Sequence, residues 1–350
     1  MKSKDAPPDL PSGQQISYSE LNTFDDWCQL QHYYRYYMRM QTKNYGKLRY
    51  LTIGSITHDA VEYIYQSGWP KKSYSDQVIS SLIEKVADSI FRNYMRPEYR
   101  DQFNPEAFAH DKHVAFHLVR VFIEGIYLNE EFDLVSVEDS FEVDLPGVEG
   151  MGLLGRKDQD YRIRDPNEGK QVGREIRDYE DREGALPPGR YLGEMKTRGS
   201  SFSSRIDTTV EKDFQTDLYL VAAQEEGIDY KGVVYTVLMK PPNDLIFTSD
   251  YEGARREIDL YYAQSSPLDH IRRDAVPVEM TEEKMNSVRE KVSRIVLEME
   301  KFYEAPYMEA ATFDKPHPKA FPCRMCEYID VCHDGKRLEG EFTYKRRRSE

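Results

Sequence analysis

The run Arg190-Tyr191-Leu192-Gly193-Glu194-Met195-Lys196-Thr197 decides how the middle of this chain is read. It has the character of a strand, in which side chains two apart share a face. Glu194 and Lys196 then stand side by side, with Met195 buried behind them. A carboxylate next to an ammonium at a strand end suits metal-assisted phosphodiester hydrolysis, one group holding the cation and the other orienting the attacking water. Glu-x-Lys by itself is common, however, and more often marks an ion pair on an ordinary strand. Its surroundings have to carry the weight.

Upstream, strand character begins with Leu134-Val135-Ser136-Val137 and Ser140-Phe141-Glu142-Val143-Asp144-Leu145, and resumes from Met151 to Ile163 after a Pro-Gly turn. Asp158 and Asp160 share one face of that last strand, so either can contribute the aspartate of a site. The charged, Gly- and Pro-containing stretch between Asp165 and Gly189 reads as a long hairpin excursion, which lets the strands of Asp158 and Glu194 be neighbours. Downstream, a Gly/Ser-rich loop from Arg198 to Ser204 leads to a helix from about Thr209 to Glu225, with Gln215 and Tyr219 on one face. A strand from Gly232 to Met239 follows. The order strand, strand, strand, helix, strand predicts a mixed α/β (α+β) core, a central mixed sheet with helices packed on it.

Helices are expected before this core. Ser17-Tyr18-Ser19-Glu20 has capping-box spacing and opens a helix toward Trp27 and Cys28. A tyrosine-dense helix from Gln29 to Met40 or slightly beyond would align Arg35, Arg39, Lys43 and Lys47 as a basic stripe if it continued that far. Gly54 to Glu62 enters another helix whose apolar face includes Ile56, Ala60, Val61 and Ile64, with His58 among them. Asp76 to Met95 and Pro105 to Leu128 complete a helical layer. His110, His113 and His117 share a face of the latter and could bind a transition metal, but no carboxylate in the sequence demands it, and a structural or surface role is expected. After the core, Thr281 caps a helix on which Met285, Val288, Val292, Ile295, Met299 and Phe302 keep a three-four spacing.

The chain has 350 residues and 39% hydrophobic content, enough for a substantial core. Its 48 basic and 62 acidic side chains leave a formal charge of -14, which excludes non-specific coating of nucleic acid and makes any phosphate contact local. No signal region or bilayer-length apolar stretch is visible, so a soluble, cytoplasmic protein without membrane contact is expected. Cys323, Cys326 and Cys332 stand as C-x2-C-x5-C, with Cys28 far upstream. That irregular triplet plus a distant fourth thiolate favours a 4Fe-4S cluster. Zinc is the alternative, with His333 beside Cys332 as a further candidate ligand. Either would fasten the two ends of the chain together.

Gly54-x3-His58, Gly155-x2-Asp158, Glu194-x-Lys196 and Gln215-x3-Tyr219, in that order and enclosed by one early and three late cysteines, resemble the RecB-like branch of the PD-(D/E)XK nucleases. The cysteine arrangement is similar to that of its iron-sulfur members, the CRISPR-associated RecB-like exonucleases and AddB-type nuclease domains, and the likeness runs from about Ser17 to Asp334. The resemblance implies a restriction-endonuclease-like core, with an N-terminal helical region and a C-terminal cysteine segment. Residues 1–16 would be a flexible lead-in, 17–130 a helical region, 131–270 the nuclease core, 271–335 the C-terminal helix and cluster segment, and 336–350 a basic tail.

The resemblance further implies that His58, Asp158, Glu194 and the backbone carbonyl of Met195 ligate Mg2+ or Mn2+. Lys196 would position the nucleophilic water, while Gln215 and Tyr219 brace the site or contact DNA. Oxygen ligands suit a hard cation, and one imidazole tilts the preference toward Mn2+. The implied activity is exonucleolytic hydrolysis of single-stranded DNA or duplex ends. The alternative is a DNA-end-binding module of a recombination, replication or CRISPR-adaptation complex with weak or no cleavage of its own, homo-oligomerisation being open in both.

Overall fold

The computed structural model describes residues 15–37, 40–42, 45–68, 74–94, 103–130, 132–164, 186–199, 205–304, 323, 326–328, 332 and 342–344. Its strands in chain order are β1 (Gln15–Ser17), β2 (Met40–Thr42), β3 (Asp133–Asp144), β4 (Gly152–Ile163), β5 (Gly189–Arg198), β6 (Tyr230–Met239), β7 (Ile271–Pro277) and β8 (Phe342–Tyr344). Among the described residues, six of these form one mixed sheet. β3, β4 and β5 are antiparallel neighbours, β5 and β6 run parallel, and β7 returns antiparallel to β6. β1 lies parallel to the start of β4, and β2 pairs with β8 away from the sheet.

The helices are α1 (Tyr18–Asn22), α2 (Gln29–His32), α3 (Tyr45–Gln66), α4 (Asp76–Tyr94), α5 (Pro105–Gly125), α6 (Ile206–Val210), α7 (Phe214–Glu225), α8 (Asn243–Ile246), α9 (Tyr251–Ala263) and α10 (Glu282–Glu304). Strand alternation divides the sheet's apolar side chains between two cores. Leu192, Val233 and Val237 pack with Leu218 of α7 and with Val292 and Ile295 of α10. Met195 and Leu238 join the other core, with Ile53 and Ile56 of α3, Leu82 of α4 and Leu118 of α5. The sheet is therefore covered by helices on both faces, as the order of elements predicts. α10 begins where Thr281 Oγ1 accepts from Lys284 N at 3.2 Å, and Met285, Val288, Val292, Ile295, Met299 and Phe302 along it are buried.

Several boundaries differ from expectation for local reasons. Gln15 and Ile16 form part of β1 rather than a lead-in, because Ile16 is buried in the core. Ser17 Oγ caps α1 through Glu20 N at 3.3 Å, but the backbone then passes through a π-helical turn to Cys28, which is extended at φ -167. The tyrosine-rich helix ends at Tyr37, and pairing of β2 with β8 takes over, so a continuous basic stripe does not form; Arg39 and Lys43 lie outside the described residues. The two runs around Phe141 are one strand, β3. The helix expected from Thr209 is two, since Asp213 accepts from Gln215 N at 3.3 Å and caps α7 afresh. The sheet also continues past residue 270 through β7. The hairpin excursion at 165–185, His333 and the basic tail at 345–350 lie outside the described residues. No described helix is long and apolar enough to cross a membrane.

Candidate active site

β4 and β5 part company at the site. Their ladder runs from Ile163↔Gly189 to Gln159↔Gly193, after which β5 continues along β6 from Glu194 to Arg198. Asp158 and Glu194 are the first residues beyond the last β4–β5 pair. Asp158 Oδ2 accepts the Met195 N–H at 2.7 Å, so a side chain satisfies the donor that the ladder no longer reaches. The fork thus presents two carboxylates where an uninterrupted sheet would present backbone.

α3 delivers His58 to this point. Its Nδ1 lies 3.6 Å from Asp158 Oδ1 and 3.9 Å from Glu138 Oε1. Glu138, on β3, falls between the pairs Val137↔Gln159 and Asp139↔Lys157 and therefore opposite Asp158. It has a left-handed backbone, φ 53, a conformation that costs a non-glycine residue energy and marks a site held by its surroundings. The side-chain ligand atoms of His58, Glu138 and Asp158 all lie within 4.8 Å of one another. Sequence reading leaves Glu138 in the gap between two strand runs. The break in apolar alternation at Glu138-Asp139 is the one sequence signal for it.

On the neighbouring strand Lys196 ion-pairs with Glu194 and donates to Gln215 Oε1 at 3.0 Å. Gln215 sits in the first turn of α7, and Tyr219, one turn on, is hydrogen-bonded to Gln215 and to the Arg156 backbone. The Tyr219 ring meets Phe141 edge to face at 5.0 Å. Gly155 makes room for this packing: a Cβ there would stand 2.1 Å from Phe141 Cζ. Asp160 turns elsewhere. It is fully buried, ion-pairs with Arg190 and accepts from Tyr230 Oη at 2.7 Å, so Asp158 is the aspartate that reaches His58.

The electrostatics are those of a cation site. Burial raises Glu194 to about 7, against the pull of the Lys196 ammonium and with a further push from Asp158. Burial opposes the charge on Lys196, but Glu194 and Asp158 more than compensate and raise its pKa, so it remains an ammonium. His58 is likewise disfavoured as a cation by burial and pulled above its ordinary value by Asp158 and Glu138. Carboxylate oxygens with a single imidazole make a donor set that fits Mg2+ or Mn2+. Burial holds the Tyr219 hydroxyl neutral, its pKa raised to about 12.

Of the cysteines, burial raises the Cys323 thiol above its ordinary value, and the charge on Cys28 adds to the rise. Burial pushes the Cys326 thiol up to about 12, with Cys28 and Cys323 among the further contributors. Tyr328 N donates to Cys326 Sγ at 3.4 Å, and Cys332 N to Tyr328 O at 2.9 Å. Of the α5 histidines, His110 is bonded to Leu245 O at 2.8 Å, whereas His113 and His117 face Asp259 of α9.

No curated protein matches this sequence. The family model of the PD-(D/E)XK nuclease superfamily matches residues 15–333, a span that holds the fork, His58, the Gln215 helix and the four cysteines. Members of that superfamily are metal-dependent nucleases that use divalent cations such as Mg2+ or Mn2+. With a helix-flanked mixed sheet that collects a histidine, acidic side chains and a lysine at one strand fork, the chain belongs to the PD-(D/E)XK nuclease superfamily.

Proposed function

We propose that this protein is a DNA exonuclease of the RecB-like, iron-sulfur branch, hydrolysing phosphodiester bonds in single strands or at duplex ends. The observation that carries the reading is the β4–β5 fork, where His58 and Asp158 stand on one side and Glu194, Lys196 and Gln215 on the other. His58, Asp158, Glu194 and the Met195 carbonyl would hold the divalent cation, with Glu138 offering one more oxygen. When bound, the cation supplies Lewis acidity at the scissile phosphate.

Lys196, kept protonated, acts as a donor: it holds the attacking water and stabilises charge on the phosphate oxygens. Gln215 fixes the direction of that ammonium, and Tyr219 fixes Gln215. Beside Lys196, a pocket of about 330 Å³ is lined by Arg198, Lys212, Thr208, Thr209, Asp213 and Tyr235. Its cations and hydroxyls suit a DNA phosphate, in keeping with local rather than global attraction in a chain of net charge -14. The four cysteines would carry a 4Fe-4S cluster that joins the N-terminal helices to the C-terminal segment.

The test is degradation of 5′- and 3′-labelled single- and double-stranded DNA with Mg2+ and with Mn2+. Loss of label from ends in the wild type, abolished in Glu194→Gln and Lys196→Ala, supports the reading; internal cleavage of circular DNA at the same rate overturns the exonuclease assignment. Iron and acid-labile sulfide in the purified protein support the cluster, and stoichiometric zinc without iron refutes it.

A further inference from the structure

Away from the fork, the structure brings a carboxylate from another helix to two of the α5 histidines. His113 and His117 lie one helical turn apart, and their rings meet edge to face at 4.9 Å. Asp259 of α9, 142 residues from His117, brings one oxygen between them: Oδ1 is 2.8 Å from His117 Nε2 and 3.0 Å from His113 Nε2. His117 Nε2 is hydrogen-bonded to that oxygen, and His113 Nε2 lies within hydrogen-bond reach of the same atom. One carboxylate oxygen therefore serves two imidazoles.

We propose that His113 Nε2, His117 Nε2 and an Asp259 carboxylate oxygen form a second metal site, separate from the nuclease centre, that takes a zinc-class transition-metal ion and clamps α9 to α5. The three ligand atoms already lie within 4.8 Å of one another. Donors about 2.0–2.2 Å from a tetrahedral ion stand roughly 3.3 Å apart, so the separations of 2.8 and 3.0 Å need to open by only a few tenths of an ångström. Two nitrogens in three donors select zinc, cobalt or nickel over the oxygen-seeking Mg2+ of the fork.

The rings are held for the task. His117 stacks on Tyr262, also on α9, with centroids 4.8 Å apart and planes 5° from parallel. His113 is bonded in addition to the Arg255 backbone, the kind of outer contact that orients a ligating imidazole. Burial lowers the pKa of both imidazoles, against the pull of Asp259. The Asp259 side chain is 55% exposed, which leaves solvent access to complete the coordination.

Zn2+ and Co2+ are titrated separately into the purified full-length protein, the wild type beside Asp259→Asn and His113→Gln. Asp259→Asn retains an oxygen acceptor for His117 and is expected to fold, as checked by circular dichroism and unchanged Mn2+-dependent DNA degradation. The expected result is one fewer bound Zn2+ per chain in each variant, and loss of a Co2+ visible band that carries no thiolate charge-transfer feature, so the cysteines are not its source. Equal Zn2+ stoichiometry and identical Co2+ spectra in all three proteins would overturn the site. Neither readout depends on catalysis, so the result stands whether or not the fork cuts DNA.

Discussion

Two of the places where the protein buries a carboxylate against a cation are built to opposite ends. Between α3 and α5, Asp111 is fully buried and takes Arg49 Nη2 at 2.6 Å, Arg49 Nε at 2.9 Å and Tyr45 Oη at 2.6 Å. The planar guanidinium matches the carboxylate, and a third donor completes it. At the fork, Glu194 is as deeply buried but meets Lys196, a point charge whose side chain is 28% exposed, with Asp158 close enough to repel it. The first pair is satisfied and holds two helices together. The second is crowded with negative charge and open on one side, an arrangement that has room for a visiting cation at some cost to the fold.

Removing members of each pair breaks the comparison most sharply. Glu194→Gln or Lys196→Ala should lower metal-dependent DNA degradation by roughly 10²–10⁴-fold, with the melting temperature unchanged or raised; a rate within a few-fold of wild type would detach the fork from catalysis. Asp111→Ala should do the reverse. It leaves Arg49 buried and unpaired, a loss of about 3–5 kcal/mol that urea denaturation would read, while the fraction still folded keeps its activity.

A smaller effect joins the two concerns. Gly155→Ala forces a Cβ into the Phe141 ring and should cost about 1–3 kcal/mol. Because Phe141 supports Tyr219, and Tyr219 supports Gln215 and Lys196, the rate should fall several-fold more than Asp111→Ala lowers it per folded molecule. Equal rates per folded molecule would show that the bracing is not transmitted.

The smallest effect concerns pH in chelator-treated protein. Glu194 is raised from 4.5 to about 7 by burial, so the folded state binds more protons than the unfolded between those limits. Stability at this site is present at the acidic end and is lost as pH rises through about 7. The stability advantage of Glu194→Gln over wild type should therefore grow from pH 4.5 to about 7 and then level off. An advantage that shrinks with rising pH would contradict burial as the leading influence on Glu194.

Much of this could be read along the chain. The alternation around Glu194, the three-four spacing of α10 and the motif intervals linking His58, Asp158, Glu194 and Gln215 are all local patterns, and local patterns follow from the periods of strand and helix. Asp213 shows where that reading falls short: a helix period runs through it, yet its side chain competes for the backbone and starts α7 anew. The end of the tyrosine-rich segment is a tertiary matter too, settled by a partner strand some 300 residues away.

The sequence by itself determined the period of the elements and the order of the candidate site residues, because a strand that presents Glu194 and Lys196 together, or a helix that buries every third or fourth residue, leaves its period in the letters. Only the tertiary structure decided that β4 and β5 diverge beyond Gln159↔Gly193, that Glu138 faces Asp158 from a left-handed backbone, and that Asp259 meets His113 and His117. These depend on how far apart two strands run and which helix packs on which. Such separations are set by packing across the whole core and have no period along the chain.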